Sequence, residues 1–295
     1  MFSRSTWLHL RIPFSYFLLP VFFFALAISP NLNGPRLLWS LLIIHLFLYP
    51  ASNGYNSYFD KDEESIGGLK NPPPVNKSLY YMSLLFDAIA LALGWWFINP
   101  LFVAMMLIYG LASKAYSHPS IRLKKYPIAG WLTVIFFQGI FAFMMCYVAI
   151  NNFELENLFR EKVIWAGTLT SLMLFGTYPL TQVYQHGEDR RRGDRTISIL
   201  LGIRGTFYFA MTFFGLATAG FVLFFQRYYD SNFTFVFLTA LAPVGGFFFY
   251  WFVRVWKNEV NADFTSTMRL NFISGTCLNA FFIYFFLETS HILQL

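Results

Sequence analysis

Uninterrupted apolar length is the feature that most restricts this chain. About nine runs of roughly 17 to 25 mainly apolar residues, each long enough to cross a bilayer as a helix, centre near Val21, Ile44, Leu91, Met106, Ile140, Leu172, Thr218, Leu241 and Ala280. The expectation is an all-α polytopic membrane bundle of about nine transmembrane helices. Composition agrees, because 57% of the 295 residues are hydrophobic and only 12% charged, against about a quarter charged in soluble domains. The first run follows Arg4 and Arg11 and ends at NLNGP without a small-residue cleavage site, which predicts a retained span. Cys146 and Cys277 fall inside spans, where they read as packing residues. Most of the 38 Phe read as lipid-facing or interfacial.

The basic residues predict an orientation. With nine spans and a cytoplasmic N-terminus, most of the 21 Lys and Arg fall on one side, and only Arg36, Arg160, Lys162 and Arg227 on the other. The positive-inside rule makes the rich side cytoplasmic. The net charge of +6 is then explained by the bilayer, and no nucleic-acid motif accompanies it.

Polar residues are scarce enough that their clusters carry information. In Asn53–Pro74, NGYNSYFDKDEESIGGLKNPPP, Asn56, Asp60 and Glu64 recur every fourth residue, which on a continued helix places them within about 80° of arc. Carboxylates on one face repel unless a cation such as hydrated Mg²⁺ holds them together. Two Gly and three Pro then break the helix, and Lys70 follows closely enough to approach the same site. A second stretch, QVYQHGEDRRRGDRT, sets Gln185 four residues before Asp189, with Glu188 beside it and Gly193 as a helix stop. The two acidic ends lie at the cytoplasmic ends of even-numbered spans and can face each other across one cavity. Between them KAYSHPSIRLKKYP gathers Tyr116, Arg122, Lys124 and Lys125. Arg11 can either snorkel to the interface or bind an anion. Asp87 within span three calls for a partner.

Opposed carboxylates interleaved with cations suit Mg²⁺ and, through it, a polyanion such as a diphosphate. If the diphosphate belongs to an allylic isoprenoid, its departure leaves a cation that aromatic walls can shelter.

Three motifs in order carry a resemblance. Asn56, Asp60 and Glu64 resemble the N-x-x-x-D-x-x-x-D motif of the UbiA superfamily of integral-membrane prenyltransferases. The loop holding Tyr116, Ser117, Pro119, Arg122, Leu123, Lys124 and Pro127 is similar to that family's characteristic loop. Asp189, Gly193 and Thr196 resemble its D-x-x-x-D-x-x-x-G-x-x-T motif. Glu64 stands where the family usually has Asp, and Gln185 where the second motif usually begins with Asp, so Gln185 or Glu188 takes that position.

The resemblance implies one domain over residues 1–295, with helices around a central cavity under a cytoplasmic cap. It also implies Mg²⁺ and transfer of an isoprenyl group from an isoprenyl diphosphate to a lipophilic acceptor in the membrane, aromatic, quinone-precursor-like or carotenoid-like. It puts Asn56, Asp60, Glu64 and Asp189 on metal and diphosphate, and Lys124, with Arg11 and Lys70, on phosphate oxygens. Gln185, Glu188, Tyr116 and Arg122 complete the neighbourhood. Asp87, Tyr116 and His186 are the candidates for an acceptor base. Two other readings stand beside it: a terpene cyclase or hydratase of the same type, and a cation-coupled transporter, which predicts charged or broken helices at the bilayer midplane. No feature sets the oligomeric state.

Overall fold

Among the described residues, nine helices carry the apolar runs. The computed structural model describes residues 3–290, and among them the helices long and apolar enough to cross a membrane are α1 (Arg4–Ala27), α2 (Gly34–Asp60), α3 (Lys77–Phe97), α4 (Pro100–Ser117), α5 (Pro127–Asn151), α6 (Glu161–Arg192), α7 (Ile197–Tyr228), α8 (Ser231–Lys257) and α9 (Phe264–Ser290). Short polar side chains set several starts. Asn33, Asn76, Asn99 and Asp230 each accept a hydrogen bond from a backbone N–H of the first turn, which satisfies donors the helix itself cannot. Gly193, at φ 76°, ends α6 in the left-handed conformation expected of it.

Each helix packs on the next in sequence, and α9 returns to α1, so the nine form a closed ring. Close approach within it depends on small residues. A Cβ on Gly139 of α5 would lie 2.6 Å from the Cα of Ser171 on α6. The chain at Gly139 leaves helical geometry, and Ser171 Oγ repairs the ladder by accepting from Ile140 N at 2.9 Å and donating to Ile135 O at 2.9 Å. Such repair is what lipid demands of an interrupted helix.

The ring encloses a cavity of about 490 Å³ lined by residues of every helix except α3. One end carries the acidic stretches. At the other, Phe24 packs against Phe143, Phe221, Phe224 and Phe282 with ring centroids 4.6–5.6 Å apart, all five essentially buried. Met268 and Phe282 both line the cavity, and their separation along α9 corresponds to a depth of about 21 Å at 1.5 Å per residue.

Candidate active site

The end of α2 sets the first part of the site. Asn56 and Asp60 lie one turn apart on its cavity face, and Asn56 Nδ2 donates to Asp60 Oδ2 at 2.8 Å and to Ser117 Oγ of α4 at 3.0 Å. The helix does not continue to Glu64. Lys61 adopts the left-handed conformation at φ 50° and its N–H closes on Ser57 O, which turns the chain away. The four-residue stripe therefore ends at Asp60. Glu64 points outward, half-exposed, paired with Arg191, and the carboxylate that reaches the cavity after Asp60 is Asp62. Lys70 is likewise exposed and is not among the cavity residues.

The second acidic stretch faces the first. A tight turn over Val183–Gln185 shifts the register before the last turn of α6, so Asp189 and Gln185 line the cavity while Glu188 turns into the packing beside it. Gln185 Nε2 donates to Ser65 O at 3.3 Å. Glu188 Oε1 accepts from Glu63 N at 2.9 Å, and Arg192 bridges Glu188 and Asp62. These bonds fasten the two acidic loops to each other.

Cations fill the space between the carboxylates. Arg122, itself left-handed at φ 45°, grips Asp194 through Nε and Nη2 at 2.9 and 2.8 Å and comes within 3.9 Å of Asp60. The bonds to Asp194 hold the Arg122 guanidinium above its ordinary pKa, against the opposing effect of burial. Lys124 pairs with Asp60 and stands 3.8 Å from Asp194. Arg11, where α1 kinks at φ 48°, lines the cavity and donates to Gly67 O and Asn53 O at 3.2 and 3.3 Å. Its Nε is buried without an acceptor.

Of the three residues considered as an acceptor base, Tyr116 alone lines the cavity, its hydroxyl bonded to that of Tyr178. Asp87 is ion-paired with Lys114, the partner its place in a span required. His186 is buried against Ser198 at 2.7 Å. Asp62, Asp194, Tyr178 and Gln182 are cavity residues that sequence reasoning did not single out. For Asp194 the signal was present, since it directly follows the Gly193 helix stop and precedes the Thr196 cap of α7.

Among the described residues no three His, Cys, Asp or Glu side chains stand close enough to hold a bare metal ion. Asn56, Asp60, Glu64 and Asp189 are not gathered into one ligand set, because Glu64 lies outside. The donors present nonetheless fit hydrated Mg²⁺, which keeps several waters and takes only one or two carboxylates beside substrate phosphates. Asp60 and Asp189 bring carboxylates to the cavity wall with the side-chain amide of Asn56 beside Asp60, oxygen donors of the hard kind that Mg²⁺ takes.

Fold and site thus define a multi-pass membrane protein with a polar mouth, mixed in charge, over an apolar chamber. The sequence model of the UbiA prenyltransferase family matches residues 17–273, and the chain belongs to that family. A comparison with curated proteins finds no match. The fold is similar to that of a UbiA homologue from Archaeoglobus fulgidus bound to GPP and Mg²⁺, with TM-score 0.66 and 16% identity, covering 96% of this chain and 99% of that one. The same homologue bound to DMAPP and Mg²⁺ gives TM-score 0.66 and 16% identity over 94% and 97%. A structure of digeranylgeranylglyceryl phosphate synthase gives TM-score 0.62 and 17% identity over 96% and 98%.

Proposed function

We propose that the whole chain forms one catalytic domain that transfers an isoprenyl group from an isoprenyl diphosphate to a lipophilic acceptor dissolved in the bilayer, with Mg²⁺ as cofactor and the site facing the cytoplasm. The observation that carries this is the cavity whose mouth alternates Asp60, Asp62, Asp189 and Asp194 with Arg11, Lys124 and Arg192 and whose depth is apolar. A diphosphate with a hydrocarbon tail has that polarity. The solved relatives bound to GPP or DMAPP with Mg²⁺ support the same ligand class.

In this reading Asn56, Asp60 and Asp189 hold the hydrated metal, which when bound neutralises charge on the diphosphate. Lys124 and Arg11 donate to phosphate oxygens. Arg122 orients the mouth through Asp194 and does not touch substrate. The bond from the allylic carbon to the bridging oxygen breaks, with its electron pair leaving on the diphosphate. The allylic cation remains among Tyr116, Tyr178 and Phe137, whose π faces and dry surroundings protect it from water. An electron-rich acceptor carbon attacks it and then loses a proton to the departed diphosphate, since the Tyr116 phenol, bonded to the Tyr178 hydroxyl, already carries its own.

The buried aromatic cluster that closes the far end of the cavity speaks against a transport path. The test is pyrophosphate release by purified protein with Mg²⁺ and farnesyl or geranylgeranyl diphosphate. Release should need Mg²⁺ and fall by about 10² or more in Asp60→Asn and Asp189→Asn, as when a preorganised electrostatic contact to developing charge is removed. Undiminished release from both folded variants would refute the proposal.

A further inference from the structure

Among the described residues, every Asp, Arg and Lys of the cavity lining belongs to the mouth, and the wall below it is neutral. That wall has two characters. Helices α7 and α8 present Met211, Phe214, Leu241, Val244 and Phe248, whereas α4, α5 and α6 interleave polar groups with apolar ones. Three of those polar groups are already bonded, since Thr133, Thr170 and Thr177 donate to Ala129 O, Gly167 O and Met173 O of their own helices at 2.7, 2.7 and 2.9 Å. Gln138 is different. Its amide lines the cavity beside the Tyr109 hydroxyl and offers two donors and two lone pairs, more than one hydroxyl can fill. The backbone holds it there. Phe136–Phe141 forms a wide π turn, a feature frequent at functional sites. Ser171 fastens the chain on both sides of Gln138, at Ile135 O and Ile140 N, each at 2.9 Å.

We infer that Gln138 is a specificity residue for the acceptor: its amide hydrogen-bonds a hydroxyl or carbonyl oxygen of an uncharged acceptor whose reacting carbon lies at the level of Tyr116. The inference rests on the isoprenyl-transfer reading above and concerns the acceptor alone. Distance agrees with it. Tyr109 lies seven residues from Tyr116 on α4, about 10 Å deeper at 1.5 Å per residue. A six-membered ring that meets the cation at one carbon, about 3.3 Å away, and bears on the opposite carbon an oxygen hydrogen-bonded at about 2.8 Å covers about the same length. Charge agrees as well. An ionised group beside Gln138 would be buried without a counterion, and one at the mouth would meet four carboxylates and the diphosphate. The tail is placed by the same reasoning. Hydrocarbon laid on Gln138 would leave its amide unpaired, so the isoprenyl chain belongs on the wall of α7 and α8.

The test uses the full chain in nanodiscs with Mg²⁺ and geranylgeranyl diphosphate labelled in its hydrocarbon chain. Membrane lipid extract is split on an anion exchanger at neutral pH into an unretained fraction, free of acids, and a retained acidic one. The unretained fraction should support transfer of label within twofold of the whole extract, and the acidic fraction less than a tenth of it. Gln138→Met, of nearly the same shape without the hydrogen bonds, should raise the amount of unretained fraction needed for half-maximal transfer at least fivefold. Its maximal rate and its half-saturating diphosphate concentration should stay within twofold. Transfer supported as well or better by the acidic fraction, or an unchanged acceptor dependence in Gln138→Met, would overturn the inference while leaving isoprenyl transfer intact. So would an equal loss of diphosphate saturation in Gln138→Met, which would mark Gln138 as a packing residue. No transfer with the whole extract would overturn the isoprenyl-transfer reading and the inference with it.

Discussion

Asp194→Asn tests whether the mouth of the cavity is held by one charge network. Asp194 has a side chain only 2% exposed and faces the Arg122 guanidinium, 17% exposed, at 2.8 Å, with Lys124 at 3.8 Å. Removing its charge leaves two cations and one remaining carboxylate, Asp60. Breaking a buried, hydrogen-bonded pair from one side costs about 3 to 5 kcal/mol, and the low end applies because Arg122 keeps Asp60 at 3.9 Å. A loss of about 3 kcal/mol corresponds to roughly 6 to 12 °C in the unfolding midpoint, readable by thermal unfolding in detergent. The same measurement on Arg122→Gln and on the double variant closes a cycle. The account predicts a double variant no less stable than the worse single one, a coupling of about 2 kcal/mol or more. Strictly additive losses would refute the idea that Asp194 and Arg122 act as a pair, and a midpoint unmoved in Asp194→Asn would refute the network itself.

Other consequences are as direct. Glu64→Gln and Lys70→Met, both at exposed residues outside the cavity, should change the KM for isoprenyl diphosphate by less than about twofold, as for surface substitutions generally, whereas Asp62→Asn should raise it at least tenfold. Steady-state kinetics on the three variants separates them, and equal effects would mean that the outward turn at Lys61 is lost in the working enzyme. Ser171→Ala leaves the Ile140 N–H without its acceptor and should cost about 1 to 3 kcal/mol, seen as a lower unfolding midpoint with diphosphate binding retained. Removing Mg²⁺ with a chelator should weaken diphosphate binding at least tenfold and reversibly, and tight binding in excess chelator would contradict the role given to Asp60 and Asp189.

The architecture was legible because a bilayer leaves few options. Nine apolar runs became nine spanning helices among the described residues, Gly193 stopped α6, and the Asp87 carboxylate inside a span found Lys114. The local geometry of the site was less legible. Lys61 and Arg122 take left-handed conformations that in a non-Gly residue leave no mark in the sequence. The first of these ends the i, i+4 stripe one residue after Asp60 and exchanges Glu64 for Asp62. The register change over Val183–Gln185 likewise turns Glu188 into packing while keeping Asp189 on the cavity. Asp194 is marked in sequence by its place between the Gly193 stop and the Thr196 cap, but its partner arises only when folding lays it against Arg122, a contact 72 residues apart in the chain.

The most direct measurement of the central claim follows the isoprenyl group itself. Protein in nanodiscs would receive Mg²⁺, membrane lipid extract and geranylgeranyl diphosphate labelled in its hydrocarbon chain, and the label would be traced by extraction and mass spectrometry. The account predicts that label moves from the diphosphate into a new prenylated lipid only when Mg²⁺ and extract are both present. Label appearing as a free terpene or alcohol without extract would convert the assignment to a cyclase or hydratase, and label remaining on the diphosphate in every mixture would contradict the account.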